Sequence, residues 1–266
     1  MSEKITLYGF NNLTKSLSFN IYDVCYAATK QEKEDYTAYI DEQYNSERLT
    51  SILLKVTEMI GAHVLNISKQ DYEPLGASVN ILIADDKLEY DLIDNSNNLG
   101  IVDGQSLIHA HLDKSHLTVH TFPESHPNKN ISTFRVDIDV ATCGKVSPLN
   151  TLDFLISQFE SDIMTLDYRV RGFTRDKDGH KIFIDHSITS IQDYISKQTL
   201  EAYDATDINV YQANIFHTKM KIKDIDLPHY LFNKDYANLS TAKKESIEMS
   251  LKKEMLEIYS GINIYD

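Results

Sequence analysis

The most concentrated polar chemistry of this chain lies in one short stretch, HAHLDKSHLTVHTFPESHP, at residues 109–127. Five of the ten histidines fall between positions 109 and 126. His109, His111 and Asp113 alternate along an expected strand, so both imidazoles share one face and could begin a metal site. Lys114 then stands where the run His-x-His-x-Asp-His of metal-dependent hydrolases needs its third histidine. A metal-dependent hydrolase is therefore the weaker alternative, and we expect no metal ligands in the chain.

A second chemistry centres on Lys114-Ser115-His116, which we expect to form a turn between two strands. A serine hydroxyl in a strained turn can attack the preceding carbonyl carbon and convert the amide bond into an ester, with a nearby imidazole moving the protons. β-Elimination then frees the upstream fragment and leaves dehydroalanine, which hydrolyses to a pyruvoyl group and ammonia. These residues alone do not distinguish this serine from an ordinary turn serine.

Longer motifs decide between these alternatives. The run DKSHLTVHTFPE at residues 113–124, followed by DVATCG at 139–144, resembles the processing and catalytic block of S-adenosylmethionine decarboxylases. The resemblance extends to the longer, bacterial-type proenzymes through four further segments. These are NNLTKSLSFNIYDVCYA (11–27), QDYEPLGASV (70–79), SDIMTLDYRVRGFTRD (161–176) and NVYQANIFHTKM (209–220). The resemblance covers nearly the whole chain.

Residue roles follow from this resemblance position by position. It implies that the chain cuts itself between Lys114 and Ser115, and that Ser115 becomes the covalent pyruvoyl cofactor. His120 matches the residue that accepts a proton during self-processing, and Cys143 matches the proton donor of the chemical step. Glu124 matches the family acid that holds the substrate ribose. A thiol is suited to its role because it can give up a proton near neutral pH.

The resemblance also implies the reaction. The lyase would decarboxylate S-adenosylmethionine through a Schiff base between the substrate amine and the pyruvoyl carbonyl, which accepts the released electrons. The product is the aminopropyl donor for spermidine and other polyamines. Bacterial-type relatives further imply stimulation by Mg²⁺ and a symmetric homo-oligomer, a dimer of αβ heterodimers. We expect a single domain over residues 1–266, cleaved into a beta chain, 1–114, and an alpha chain, 115–266.

Two other functions remain open at this stage. A pyruvoyl-dependent arginine or ornithine decarboxylase would keep Ser115, His120 and Cys143, so the catalytic block does not separate these substrates. An uncut, non-catalytic homologue would bind or regulate a partner instead. The presence of all three residues argues against it.

Composition excludes several partners. With 26 basic and 40 acidic residues the formal charge is −14, which repels nucleic-acid backbones and is compatible with a cationic sulfonium substrate. We expect no nucleic-acid and no membrane partner, since no apolar run approaches the ~18 residues of a membrane span. The N-terminal segment MSEKITLYGF lacks the apolar core of a secretory signal. We therefore expect a cytoplasmic protein, with Cys25 and Cys143 reduced.

The elements that must position these residues are predicted from apolar periodicity. Helical spacing predicts helices over 13–28 and 35–60, with Gly61 as a stop, and over 147–160, 188–203 and 241–259. Strands are predicted over 63–68, 78–84, 106–112, 116–121, 134–140, 163–174, 181–185 and 208–219, and a surface loop over 85–105. Strands joined mostly by turns predict an α+β fold with antiparallel sheets and helices outside. This is an α-β-β-α sandwich, which dimerisation would complete.

Strand geometry adds one hypothesis. If residues 116–121 are extended, His120 lies five residues, or roughly 16 Å, beyond Ser115. We therefore expect His120 to serve the Ser115 of a second subunit, at a two-fold interface.

Overall fold

The computed structural model describes residues 11–84, 115–144 and 146–265. The strands are β1 (Thr14–Tyr26), β2 (His63–Asp71), β3 (Ala77–Ala84), β4 (His116–Ser125), β5 (Ile131–Cys143), β6 (Ile163–Arg171), β7 (Thr174–Arg175), β8 (Lys181–Ile182), β9 (Tyr203–Asp207) and β10 (Ile215–Ile222). The α-helices are α1 (Lys30–Gln43), α2 (Ser46–Met59), α3 (Leu152–Gln158), α4 (Lys197–Ala202) and α5 (Thr241–Ser260).

Eight of these strands form one sheet in the order β2-β3-β4-β5-β1-β6-β10-β9, with each neighbouring pair antiparallel. β7 and β8 form a separate short hairpin. The prediction of an antiparallel α+β fold with helices packed outside is confirmed. The described part of one chain supplies a single large sheet, so a sandwich of two sheets would need a second copy.

The central strand β1 corrects one prediction: residues 13–28 do not form a helix. Leu17, Phe19 and Ile21 are buried and alternate with the more exposed Ser18 and Asn20, which is the period of a strand. Apolar residues also follow at helical spacing, but two-residue alternation with aromatic and β-branched side chains is the stronger signal.

The helical prediction for residues 35–60 is confirmed, with a break between α1 and α2. Thr29 begins α1 with a capping box that includes Glu32, and the side chain of Asn45 accepts from the N–H of Arg48 to begin α2. Gly61 adopts φ 73°, a left-handed conformation that ends α2 as expected.

The remaining predictions have mixed outcomes. The strands at 63–68, 78–84, 116–121 and 134–140 and the C-terminal helix are confirmed. The predicted helix at 147–160 contains a 3₁₀ turn and then α3, and Ser147 makes no side-chain cap. Strand 163–174 is interrupted after Arg171, and only two residues of 181–185 are extended.

Two predictions near the C-terminal third were wrong. The helix predicted at 188–203 is reduced to a 3₁₀ turn at Ile191–Tyr194 and the short α4. The strand predicted at 208–219 starts only at Ile215, because Asn214 turns the chain with φ 51°. The predicted loop at 85–105 and strand at 106–112 lie outside the described residues.

The two faces of the sheet differ in what covers them. Helices α1, α2 and α3 pack on one face and enclose the main apolar core. On the opposite face, Ile247, Leu251 and Met255 of α5 pack against Val24 and Ile163, and so cover one end only. We call the rest of this surface the open face. Its side chains from the central strands include the exposed ring of Phe122 and a set of polar residues: Ser16, Ser18, Asn20, Thr118, His120, Arg135, Asp137, Asp139 and Asp167.

None of the helices in the described ranges combines the length and apolar character that a bilayer-spanning segment requires.

Candidate active site

Ser115 lies immediately before β4 and is completely buried, at 0 % exposure. Its carbonyl oxygen accepts a hydrogen bond of 3.1 Å from the N–H of Ile83, which extends the β3–β4 pairing by one residue. Its hydroxyl oxygen is buried and has no hydrogen-bond partner among the described residues. Leaving a buried hydroxyl unpaired is unfavourable by about 1–3 kcal/mol, so this oxygen is an exception to ordinary packing.

Cys143 is the last residue of β5 and is 3 % exposed. His116 pairs with Ala141 across β4 and β5, so extending this register by one residue places Ser115 opposite Thr142. Ser115 and Cys143 therefore belong to neighbouring strands and differ by one position in register, so the two-residue period of a strand directs their side chains to opposite faces of the sheet. On its other side Cys143 pairs with Thr14 of β1, whose hydroxyl lies 4.0 Å from the sulfur. The sheet thus places a buried serine and a buried cysteine on neighbouring strands, at the same end of the sheet.

His120 and Glu124 lie farther along β4 and are exposed. His120 pairs with Asp137 on the open face, and its ring lies 6.3 Å from that of Phe122. β4 is continuous from His116 to Ser125. His120 is five residues after Ser115, roughly 16 Å along the strand, and Glu124 is nine residues after it, roughly 30 Å. Within one chain, the structure does not bring these two residues to the Ser115–Cys143 pair.

Several predicted residues lie outside the described ranges. They are Lys114 at the expected cleavage site and His109, His111 and Asp113 of the metal-site alternative. Among described residues, Asp176, Asp178 and His180 place three ligand atoms within 4.8 Å of one another, in the turn between β7 and β8. His180 lies 3.1 Å from Asp176, and the turn is largely exposed, which is common in acidic turns that bind no ion.

A carboxyl pair, the half-buried Asp23 and the buried Asp162, was not predicted from the sequence. Asp162 is 4 % exposed and accepts from the N–H of Val24 at 2.8 Å and from the hydroxyl of Tyr230 at 2.6 Å. Burial raises the pKa of Asp162 to about 6, and burial followed by the charge of Asp162 raises the pKa of Asp23 well above its ordinary value. The pair holds a proton at a pH where ordinary aspartates have lost theirs.

This pair makes stability depend on pH. Because the folded-state pKa exceeds the unfolded one, the folded protein binds more protons between about pH 4 and 6, and its stability falls as pH rises through that window. We expect Asp23→Asn to raise the free energy of unfolding at pH 8 by on the order of 1–2 kcal/mol and to flatten this decline. Urea unfolding at pH 5 and pH 8 measures it.

The control is Asp224→Asn at an exposed aspartate. It should follow the wild-type pH profile. An Asp23→Asn profile parallel to that of the wild type would contradict the assignment of a shared proton.

The fold and site together define a class: an antiparallel α+β protein with a buried serine and a buried cysteine on neighbouring strands at one end of its sheet. Residues 36–172 match the sequence profile of the family described as S-adenosylmethionine decarboxylase. A protein of Alkaliphilus oremlandii named S-adenosylmethionine decarboxylase proenzyme is 67 % identical over 267 residues, covering 100 % of this chain and 99 % of the relative. A protein of Clostridium perfringens with the same name is 66 % identical, covering 100 % of this chain and 99 % of the relative. One from Heliobacterium modesticaldum is 56 % identical, covering 98 % of this chain and 97 % of the relative. The chain belongs to the S-adenosylmethionine decarboxylase family, so the family prediction is confirmed.

Sequence reasoning missed a buried polar network next to Cys143. In this network Lys15 and Asn11 each donate one hydrogen bond to the carbonyl of Gly144 and one to the carboxylate of Asp185. One signal was available, because Lys15 stands in phase with the apolar residues Leu17 and Phe19 of a strand. Asp185 carried no comparable signal, since 170 residues separate it from Lys15.

Proposed function

We propose that this chain is a self-cleaving carboxy-lyase that converts S-adenosylmethionine to decarboxylated S-adenosylmethionine, the aminopropyl donor for spermidine synthesis. The observation that carries the proposal is the buried hydroxyl of Ser115, which has no hydrogen-bond partner among the described residues and lies one strand away from Cys143. Full-length relatives at 56–67 % identity are named S-adenosylmethionine decarboxylase proenzyme, which favours this substrate over arginine or ornithine. Neither cysteine forms a disulfide, in keeping with a reaction in the cytoplasm.

Self-cleavage begins at Ser115. Its oxygen attacks the carbonyl carbon of Lys114: the C–O bond forms, the C–N bond breaks, and the nitrogen of Ser115 gains a proton. Removal of the α-proton of Ser115, for which we assign His120, expels the Lys114 carboxylate and leaves a dehydroalanine. Water then replaces its nitrogen, which leaves as ammonia. The products are residues 1–114 and a chain of 152 residues, 115–266, with a pyruvoyl group at its N-terminus.

The residues around Ser115 fit such a group. Its hydroxyl makes no hydrogen bond to the described residues, so none of these bonds would be lost on cleavage. Its carbonyl accepts from the N–H of Ile83 at 3.1 Å in the uncut chain. When present, a pyruvoyl group supplies an electron sink for the pair released with carbon dioxide. The Ile83 N–H points at the carbonyl oxygen conjugated with that sink, and so can stabilise negative charge on it. Cys143 returns the proton to the substrate carbon.

We propose that a second copy supplies His120 and Glu124. Both are too far along β4 to reach Ser115 of their own chain, and His120 lies on the open face. The Nε of Arg135 on this face is buried without a partner among the described residues. Two open faces packed together would complete the α-β-β-α sandwich, as a dimer of αβ units with two shared sites. Glu124 would hold the substrate ribose there. Stimulation by Mg²⁺ stays a prediction.

The test compares wild type with Ser115→Ala. On a denaturing gel the wild type should give fragments of 114 and 152 residues, and mass spectrometry should find a pyruvoyl group at residue 115. Ser115→Ala should remain one band of about 30.5 kDa without activity. Carbon dioxide should be released from labelled S-adenosylmethionine but not from labelled arginine or ornithine. A wild-type chain that stays whole would favour the non-catalytic homologue, and release from arginine alone would overturn the substrate.

A further inference from the structure

Lys15 is a lysine on the buried face of β1, with 1 % of its surface exposed. Its Nζ donates to the carbonyl oxygen of Gly144 at 2.8 Å and to Oδ2 of Asp185 at 2.8 Å. A buried ion pair of this kind adds little net stability compared with apolar packing, because both charges must leave water. Its role is therefore sought in the group that it contacts: Gly144 is the residue directly after Cys143.

The peptide that follows Cys143 is held on both sides. The N–H of Gly144 donates to the carbonyl of Leu13 at 3.1 Å, while the carbonyl of Gly144 accepts from Lys15 and, at 3.1 Å, from Nδ2 of Asn11. Gly144 has φ 73°, so the chain leaves β5 through a left-handed corner, and these bonds hold its peptide in place. The register places Lys15 opposite Thr142, the residue opposite Ser115. The network thus lies across the strands that carry both reactive side chains.

Asp185 continues the network away from the site. Its Oδ2 accepts from Asn11 at 2.7 Å, and its Oδ1 lies 2.8 Å from Nδ1 of His186. Nε2 of His186 is 3.1 Å from the hydroxyl of the buried Tyr168. Burial raises the pKa of Asp185, but hydrogen bonds from His186, Lys15 and Asn11 outweigh it and keep that pKa well below its usual range. The carboxylate stays charged and holds Lys15 at the Gly144 carbonyl.

We propose that Lys15 and Asp185 are positioning residues that fix the Cys143–Gly144 corner and, with it, the position of the thiol at the end of β5. The inference rests on the proposed function, in which Cys143 gives the proton. A displacement of about 1 Å in a reacting group can lower a rate by as much as 10²-fold. Loss of the network should therefore reduce kcat and leave substrate binding nearly unchanged.

The test uses Lys15→Met, which keeps the length of the side chain without its charge, and Asp185→Asn, which keeps its shape. We expect kcat of the cleaved enzyme to fall at least tenfold in Lys15→Met, with KM within about twofold of wild type. Asp185→Asn should show a smaller fall, because Lys15 can still reach Gly144. The double variant should be no slower than Lys15→Met, since the two residues act as one unit.

A second readout does not depend on activity. In the uncut Ser115→Ala chain, the alkylation rate of Cys143 by iodoacetamide, read by peptide mass spectrometry, should change severalfold when Lys15 is replaced. Cys25 serves as an internal reference because burial raises the pKa of its thiol to about 12. Lys234→Met is the matched control: it breaks the ion pair with Glu32, both residues being largely buried, near Tyr26 at the opposite end of β1. It should alter neither kcat nor alkylation of Cys143.

Wild-type kcat and alkylation in both Lys15→Met and Asp185→Asn, or losses matched by Lys234→Met, would overturn the proposal. A rise in KM alone would do so as well. If Lys15→Met does not fold, Asp185→Asn decides by the same criteria. Failure of the proposed function is seen separately, as a wild-type chain that neither cleaves nor releases carbon dioxide, and the alkylation experiment then still tests the placement of Cys143.

Discussion

Cys143→Ala should cleave itself as the wild type does and then turn over S-adenosylmethionine 10²–10⁴-fold more slowly, with little change in KM. The thiol takes no part in the attack of Ser115 on the preceding carbonyl, so fragments of 114 and 152 residues should still form. Its assigned work comes later, when the substrate carbon must regain a proton, and positioned proton transfer contributes a factor of this size. Steady-state kinetics on the cleaved protein, with the extent of cleavage read from the same samples, measures it.

The second cysteine provides the control. Cys25 is also buried and lies on β1, where its sulfur contacts the carbonyl of Tyr230 at 3.7 Å. Cys25→Ala should lower the free energy of unfolding by about 1 kcal/mol, as a small truncation in the core does, and leave kcat near that of wild type. A Cys143→Ala enzyme with wild-type kcat would remove Cys143 from the mechanism. An uncut Cys143→Ala chain would instead show that the thiol acts in processing.

The residues of this site could be predicted from the sequence because long segments resemble a known family, and not from the spacing between the residues. Ser115 and Cys143 are 28 positions apart, and no periodicity indicates that they meet. The match to a catalytic block named both residues, and the β4–β5 pairing then placed them at the same end of adjacent strands. The strand at residues 116–121 was predictable because Leu117 and Val119 alternate with polar residues on a sheet that is buried on one face only.

The failures share a physical cause: tertiary contacts decided where local patterns were ambiguous. Residues 13–28 carry apolar side chains compatible with either period, and β1 becomes a strand because β5 and β6 pair with it on both sides. Lys15 is in phase with the buried residues of β1, which indicated that its charge must have a buried polar partner. That partner, Asp185, is in an irregular segment whose position no local pattern encodes.

Two inactive chains should restore cleavage when they are expressed together. A dimer of Ser115→Ala with His120→Ala contains one site in which Ser115 of the second chain meets His120 of the first, and one site that lacks both. With equal expression and random pairing, about half of the His120→Ala chains should be cut. The reason is the geometry of β4, which is unbroken from His116 to Ser125 and keeps His120 roughly 16 Å from Ser115 of its own chain. Different tags on the two chains, followed by a denaturing gel, identify the chain that is cut.

Each variant alone should remain whole, which shows that neither processes itself. The matched control replaces Ser115→Ala with the double variant Ser115→Ala/His120→Ala; this partner can still dimerise but brings no imidazole, so cleavage should vanish again. Cut His120→Ala chains in that control would mean that His120 is dispensable. No cleavage in either mixture would place the complete site within one chain, and β4 would then have to bend after His116 during processing. The experiment thus distinguishes a site that uses His120 of the partner subunit, across the open face, from a site that uses His120 of the same chain.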